Sequence, residues 1–278
     1  MQDPRIAALD EVAARVVDAI ARDEPFDAVL PAFLLRHYLA TDGALGEPLG
    51  AALARTLEFA AVEASIIGRA AWLMVLADAV AVADDERIRP AAARLIASLE
   101  AEWPAQADVS DASASVDACL RAAALVDSEE LIQPAIDQLE RVIGGSYRPG
   151  DGLGRDANGV RRRCSFGDHV RASSALLTAF DLTGRLPYSM LAEELMLIAR
   201  REPAAGVDLV MQCEAARVLV RLAALHDDPG YRAAAVIAAD ADYRADASHV
   251  LESQAAPALA GSVAEAAAYG LALLDLLK

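Results

Sequence analysis

The segment Ala83-Asp84-Asp85-Glu86 follows an apolar stretch, Ala70 to Ala83, and precedes an amphipathic stretch that begins near Pro90. Four similar segments occupy equivalent places along the chain: Ala40-Thr41-Asp42-Gly43, Val126-Asp127-Ser128-Glu129, Leu182-Thr183-Gly184-Arg185 and His226-Asp227-Asp228-Pro229. Their anchors Thr41, Asp84, Asp127, Thr183 and Asp227 lie 43, 43, 56 and 44 residues apart. One structural unit is therefore repeated, with an insertion of about a dozen residues in the third interval.

A proline follows each of these turns and marks the start of a helix, because a proline in the first helical turn lacks only an N–H that would have no partner there. These prolines are Pro48, Pro90, Pro134, Pro187 and Pro229. The helices that follow carry one apolar stripe, as at Ile132, Ile136, Leu139 and Ile143. Such helices lie on the outside of a fold, so we expect Leu139 to be buried and Gln138, on the opposite face, to be exposed.

The helices before the turns are apolar on almost every side, which requires that other helices surround them. Six such inner helices are predicted, at about 28–40, 65–83, 112–126, 168–182, 207–225 and 258–277, each with an outer partner. No long segment alternates polar and apolar residues with a period of two, so we expect no sheet of more than two short strands. Trp72 and Trp103 are assigned to the apolar core.

This pattern predicts a single all-α domain over residues 1–278, an α/α toroid of about six helical hairpins. An open HEAT-like helical solenoid has the same repeat length and is the alternative fold. Six units account for the whole chain, and the first and last repeats lack a polar cap, which favours the closed ring.

The composition excludes several classes of partner. A net charge of −17 and a pI near 4.6 repel the phosphates of nucleic acid and an anionic membrane surface. The most apolar run, Ala70 to Ala83, contains Asp78 and is too short to span a membrane. The N-terminus has no signal-peptide pattern. Three widely spaced cysteines fit a reducing cytoplasm, where we expect the protein to reside.

We also expect no cofactor and no metal site. Cys164, His169 and Cys213 are the candidate zinc ligands, but the chain contains no C-x-x-C or Cys-His pair to support such a site.

The second half of the chain contains Asp168-His169, then Leu176-Leu177-Thr178-Ala179-Phe180-Asp181-Leu182-Thr183-Gly184, then Tyr188 and Leu191-Ala192-Glu193-Glu194-Leu195. This stretch resembles a hairpin of the six-hairpin glycosidase-like superfamily. More narrowly, it is similar to the helical toroid of spermatogenesis-associated thioredoxin-like proteins, which is related in fold to N-acylglucosamine 2-epimerases. Residues Glu214 to Leu225 and Asp227 to Ala235 look like the closing hairpins of that toroid. The resemblance implies a toroid of enzymatic ancestry, but these residues include no thioredoxin-like domain and no catalytic residue carries over.

In a toroid, the loops that lead from outer to inner helices gather at one face with the N-termini of the inner helices. Those helix ends offer unpaired N–H groups and positive dipole ends, so we expect a ligand to bind there. The segments predicted to build this mouth lie near residues 104–111, 144–167, 202–207 and 246–257.

The insertion, Gly144 to Gly167, holds five arginines against two aspartates. We predict that an anionic ligand contacts side chains from this insertion and from the last mouth segment, namely Tyr147, Arg148, Arg161, Arg162, Arg163 and His249. Guanidinium groups bind carboxylates and phosphates through paired hydrogen bonds. The alternative is a solvated loop whose arginines pair with acidic neighbours.

Asp168 and His169 begin the next inner helix and are the candidate catalytic pair, a base and the group that orients it. Ser165 and Asp168 also have the spacing of a capping box, which is the alternative role of Asp168.

Two functions follow from these patterns. The leading hypothesis is an enzyme-like toroid that binds or converts a small polar or anionic compound, of the sugar-derivative class, in a central cavity. The alternative is a non-catalytic helical-repeat protein that binds a protein partner. Convergent Arg, Asp and His side chains around a pocket would favour the first, and a filled central channel would favour the second.

Overall fold

A computed structural model describes residues 4–22, 24–41, 45–106, 108–157, 160–201, 206–235, 237 and 240–278. Asp42 and Gly43 of the first predicted turn, and residues 202–205 of the predicted mouth, lie outside this set. The α-helices in the described residues are α1 Pro4–Ala21, α2 Val29–Ala40, α3 Gly46–Val62, α4 Ile66–Val80, α5 Ile88–Glu100, α6 Val109–Leu125, α7 Ile132–Ser146, α8 Phe166–Thr183, α9 Leu186–Arg201, α10 Leu209–His226, α11 Pro229–Ala234, α12 Tyr243–Ala260 and α13 Val263–Leu276. Short 3-10 helices span Trp103–Ala105 and Glu129–Leu131.

Six of these helices form a closed inner ring. Helices α2, α4, α6, α8, α10 and α13 each pack against the next, and α13 packs against α2. Helices α1, α3, α5, α7, α9 and α12 pack around them as the outer layer. The predicted α/α toroid is therefore confirmed, because an open solenoid would leave the first and last inner helices apart.

Five inner helices begin with a side-chain cap. Oxygen atoms of Ser65, Asp108, Ser165, Asp208 and Ser262 accept backbone N–H groups at the starts of α4, α6, α8, α10 and α13. Each cap satisfies donors that would otherwise lack a partner and so defines where the helix starts. Ser65 also explains how α3 and α4 separate without a glycine or proline between them.

The insertion folds into a small sheet. Strands β1 (Tyr147–Arg148), β2 (Gly152–Ala157) and β3 (Val160–Arg163) pair antiparallel in the order β1-β2-β3. The expectation of at most two short strands was wrong. Gly150 and Gly152 both have positive φ, a conformation that glycine adopts without strain, and they turn the chain between β1 and β2.

The last outer helix also differs from the prediction. Residues 246–257 were expected to form a mouth loop but lie within α12, whose first turn is capped by the Asp242 side chain. Pro257 lies inside this helix, and the chain breaks only at Gly261 and Ser262. Pro229 starts the short helix α11 and not the sixth outer helix.

The outer helix α7 shows where the stripe analysis succeeded and where it failed. Leu139 is buried, as predicted, and so are Trp72 and Trp103. The prediction for Gln138 was wrong, since it is only 6% exposed. Its amide donates to the Trp103 carbonyl at 3.2 Å and accepts from Arg141 at 2.7 Å, so it anchors the loop that precedes α6.

Candidate functional site

His169 lies fully buried beneath strand β2. The Leu153 N–H donates to its Nε2 at 3.2 Å, and its Nδ1 faces the Ser165 carbonyl at 2.8 Å. Because a carbonyl only accepts, the proton belongs on Nδ1 and both ring nitrogens are satisfied within the protein. Gly152 permits this contact, since a Cβ there would lie 2.8 Å from Nε2.

Asp168 forms the capping box of α8. Its N–H donates to Ser165 Oγ at 3.2 Å, and its carboxylate accepts the Ser165 N–H at 2.8 Å. The geometry therefore gives Asp168 and His169 structural roles at the start of α8, and their catalytic role stays a prediction.

Two of the five arginines of the insertion pair within it. Arg161 donates to the carbonyls of Ser146 (2.6 Å) and Gly152 (3.1 Å), and its Nε lies 3.3 Å from Asp151. Arg163 also approaches Asp151, at 3.4 Å. These contacts match the alternative in which the arginines pair with acidic neighbours.

The other predicted ligand contacts are spread over the surface. Arg148 and Arg162 are exposed on the sheet, and His249 is exposed on the outer helix α12. Tyr147 donates to Glu194 at 2.7 Å, and burial together with this carboxylate raises the Tyr147 pKa to about 12. The structure does not gather the six predicted contacts around one point, and their part in binding stays a prediction.

The inner helices carry a polar stripe that the sequence analysis overlooked. On α8 it consists of Arg171, Ser174, Thr178 and Asp181, and on α10 of Glu214, Arg217 and Arg221. The steps of three or four residues place each set on one face. This periodicity is present in the sequence, but the more numerous apolar residues around it give these helices the pattern of a helix that is apolar on almost every side.

These stripes meet in an axial network centred on Asp117. Its carboxylate accepts from Arg121 (2.8 Å), Ser174 (2.7 Å) and Thr178 (2.6 Å). Burial would raise the pKa of Asp117, but the charges of Arg121 and Arg221 outweigh this effect and lower it to about 2.

The axial network extends to all six inner helices. Arg217 pairs with Asp275 of α13 at 2.7 Å, and Arg36 of α2 pairs with Asp78 of α4 at 3.4 Å. Burial would lower the pKa of Arg121, yet it is raised by Asp117 and, from other helices, by Asp78 and Asp275. Charges from opposite sides of the ring thus converge, and they occupy its axis below the mouth.

Above the network, three elements meet at the first turn of α6. Asp108 caps this helix by accepting the N–H groups of Ser110 and Asp111, and it also pairs with Arg155 of β2. Arg171 of α8 donates to Ser110 Oγ at 2.7 Å. The mouth therefore brings acidic and basic side chains of α6, α8 and β2 together.

The carboxyl groups of the mouth have pKa values displaced in opposite directions. Burial would raise the pKa of Asp108, but hydrogen bonds from the Asp111 backbone and from Arg155 lower it. Burial raises the pKa of Asp111, and the negative charge of Asp108 adds to this effect. Burial also raises the pKa of Glu214, against the opposing charges of Arg171 and Arg217. Neighbouring carboxyl groups with separated pKa values are suited to act as acid and base.

Cys119, Cys164 and Cys213 are buried free thiols. Among the residues that the structure describes, no three His, Cys, Asp or Glu side chains are placed to bind a metal ion. No helix within that part of the chain is both long enough and apolar enough to cross a membrane.

No family model matches this sequence, and no curated protein matches it. Solved structures do match. The α-1,6-mannanase GH76A of Salegentibacter sp. HEL1_6 has a TM-score of 0.69 at 12% identity, over 96% of this chain and 98% of that chain. An unsaturated glucuronyl hydrolase specific for heparin has a TM-score of 0.67 at 11% identity, over 97% of this chain and 96% of that chain.

These neighbours show that the chain has the same α/α toroid fold as they have. The mannanase has also been solved as an inactive variant, with two consecutive aspartates replaced by alanine, in complex with α-1,6-mannotetrose.

Proposed function

We propose that this toroid binds, and is equipped to convert, a small carbohydrate derivative at the mouth of the inner ring. The observation that carries the proposal is the pair Asp111 and Glu214, two carboxyl groups with raised pKa values on different inner helices, both close enough to Arg171 for its charge to act on them.

Cleavage of a glycosidic bond requires one carboxyl group that donates a proton to the leaving oxygen and a second that acts as a base or nucleophile. A raised pKa keeps a carboxyl group protonated closer to neutral pH, which suits a proton donor. In this proposal Glu214 of α10 and Asp111 of α6 are the candidate proton donors. Asp108, whose lowered pKa keeps it ionised, is the candidate base and pairs with Arg155.

The basic groups of the proposed site are Arg155 and Arg171, which lie beside these carboxylates. Each supplies a planar set of donors for sugar hydroxyls or for an acidic substituent. Further support comes from the neighbours, since both are named for action on saccharides. In the mannanase, a variant in which two aspartates are replaced by alanine is inactive.

The test compares the wild-type chain with Glu214→Gln, which removes the ionisable group but keeps its shape. Both proteins are incubated with α-1,6-mannotetraose and with unsaturated heparin disaccharides, and binding and product release are measured by NMR. We expect the variant to lose turnover at least a hundredfold, in line with the usual effect of removing a general acid. Glu252→Gln, on the exposed face of α12, is the matched control and should behave as wild type.

A second function is favoured by one observation. The axial network fills the ring below the mouth, which is what we expected of a non-catalytic toroid that binds a partner. If wild type binds the saccharides but releases no product, and Glu214→Gln binds them equally well, the catalytic proposal fails and a non-catalytic role is favoured.

A further inference from the structure

A groove separate from the mouth lies on the outside of the ring. It runs between outer helices α3 and α5, with inner helix α4 as its floor, and has a volume of about 260 Å³. We call it the α3–α5 groove and define it by Leu57, Ala61, Glu63, Arg69, Arg94 and Ser98. It opens because alanines line its walls where larger side chains would fill it.

The groove carries positive groups on one side. Arg94 projects from α5 and is exposed, and no carboxylate among the described residues lies within ion-pair distance of it. Arg69 reaches the groove from α4, where its guanidinium pairs with Glu102 and donates to the Ser98 carbonyl at 3.3 Å. These contacts hold Arg69 in place but leave its buried Nε–H without an acceptor.

The end of the groove near α4 is acidic. Glu63 accepts from the Ser65 N–H (2.8 Å) and Ser65 Oγ (2.9 Å), and these bonds lower its pKa. Glu63 is therefore ionised at neutral pH and accepts hydrogen bonds. Between the charged ends, Leu57 and Leu95 provide an apolar wall.

This arrangement specifies the chemistry of an occupant. A guanidinium without an acidic partner recognises a carboxylate through paired hydrogen bonds, and an ionised glutamate accepts from hydroxyl groups. The apolar wall suits the C–H face of a compact ring. We propose that the α3–α5 groove binds a monosaccharide acid, with its carboxylate on Arg94 and its hydroxyls towards Glu63.

The probe is D-glucuronate, titrated into the full chain by isothermal calorimetry. We expect saturable binding that weakens at least tenfold in Arg94→Gln, as expected for the loss of the charge-assisted hydrogen bonds from the guanidinium. Ala61→Leu should also weaken it, because this exposed alanine faces the groove and leucine would occupy the space. Arg89→Gln, on the same helix but outside the groove, is the control and should bind as wild type.

Two further ligands test the assignment of each end. Glucose lacks the carboxylate and hexanoate lacks the hydroxyls, so both should bind at least tenfold more weakly than glucuronate. Equal binding of glucose would overturn the role of Arg94, and an unchanged affinity in both Arg94→Gln and Ala61→Leu would overturn the site. Glu214→Gln separates this groove from the mouth, because it should leave the Arg94-dependent binding intact.

Discussion

Asp117 is the residue on which the axial network depends. It is a buried carboxylate that accepts hydrogen bonds from the Arg121 guanidinium and two hydroxyls, with the charge of Arg221 nearby. A charge in such surroundings is tolerated only when its partners are complete. Removing it would leave Arg121 and Arg221 facing each other near the ring axis. Burial and the positive charge of Arg121 already lower the pKa of Arg221.

We predict that Asp117→Asn lowers the free energy of unfolding by about 3 kcal/mol at pH 7. The pKa of Asp117 falls from 3.8 to about 2 on folding, so its stabilising effect is complete above about pH 4 and is lost as the pH drops through about 2. Urea denaturation at pH 7 and pH 2.5 measures this change. Asp181→Asn, at the exposed end of the network, should cost less than 1 kcal/mol, and equal losses for the two variants would contradict the assignment.

At the scale of the element, α7 shows how a single outer helix is held. Its apolar stripe packs against α6 and α8, and two polar residues, Gln138 and Arg141, reach the backbone of the loop before α6. A polar residue on an outer helix is therefore not always a surface residue. Where an outer helix packs over a loop, backbone carbonyl groups of that loop can accept hydrogen bonds from its polar side chains. The hydrophobic pattern of the helix alone does not show these contacts.

We predict that Leu139→Asp destabilises the protein by more than 3 kcal/mol, because the incoming carboxylate would be buried without a partner. Gln133→Asp places the same side chain on the exposed face of the same helix. It replaces the hydrogen bond from Gln133 to Asp137 (2.6 Å) with a like-charge pair and should cost less than about 1 kcal/mol. Thermal unfolding followed by circular dichroism compares them. Similar melting temperatures would show that the helix is packed by a different face.

At the scale of the whole molecule, the fold depends on closure of the ring between α13 and α2. Gly270 of α13 lies at this junction, and a Cβ built there would approach Phe33 Cε2 to 2.5 Å and Val12 Cγ1 to 3.0 Å. The first and last helices therefore meet at a position where only glycine fits. In an open solenoid these helices would not meet, and position 270 would not require glycine.

We predict that Gly270→Ala lowers the melting temperature, since the added methyl group must displace Phe33 at the closure of the ring. Gly50→Ala is the matched control in the outer helix α3, where a Cβ meets nothing within 4 Å. Alanine is the better helix former, so this control should stabilise the chain by up to about 1 kcal/mol. If both substitutions stabilise the protein, the closed ring is not the state in solution.

The sequence by itself determined the features that depend on neighbours along the chain. Repeat length, turn positions and hydrophobic periodicity predicted the first five inner helices to within three residues at each end. The capping box at Ser165 and Asp168 could also be read locally. The sequence shows such signals because the successive residues of a helix cap or an apolar stripe are only two to four positions apart.

Only the tertiary structure decided which polar groups meet. Arg121 donates a hydrogen bond to Ser174, which is 53 residues away in sequence. Nε2 of His169 accepts from Leu153 in β2, a strand whose position depends on how the insertion folds. Asp111 and Glu214, which carry the proposed function, differ from other acidic residues through burial and through nearby charges, of which that of Arg171 comes from another helix. A sequence shows that a side chain can ionise, but the surroundings that shift its pKa exist only once the ring has closed.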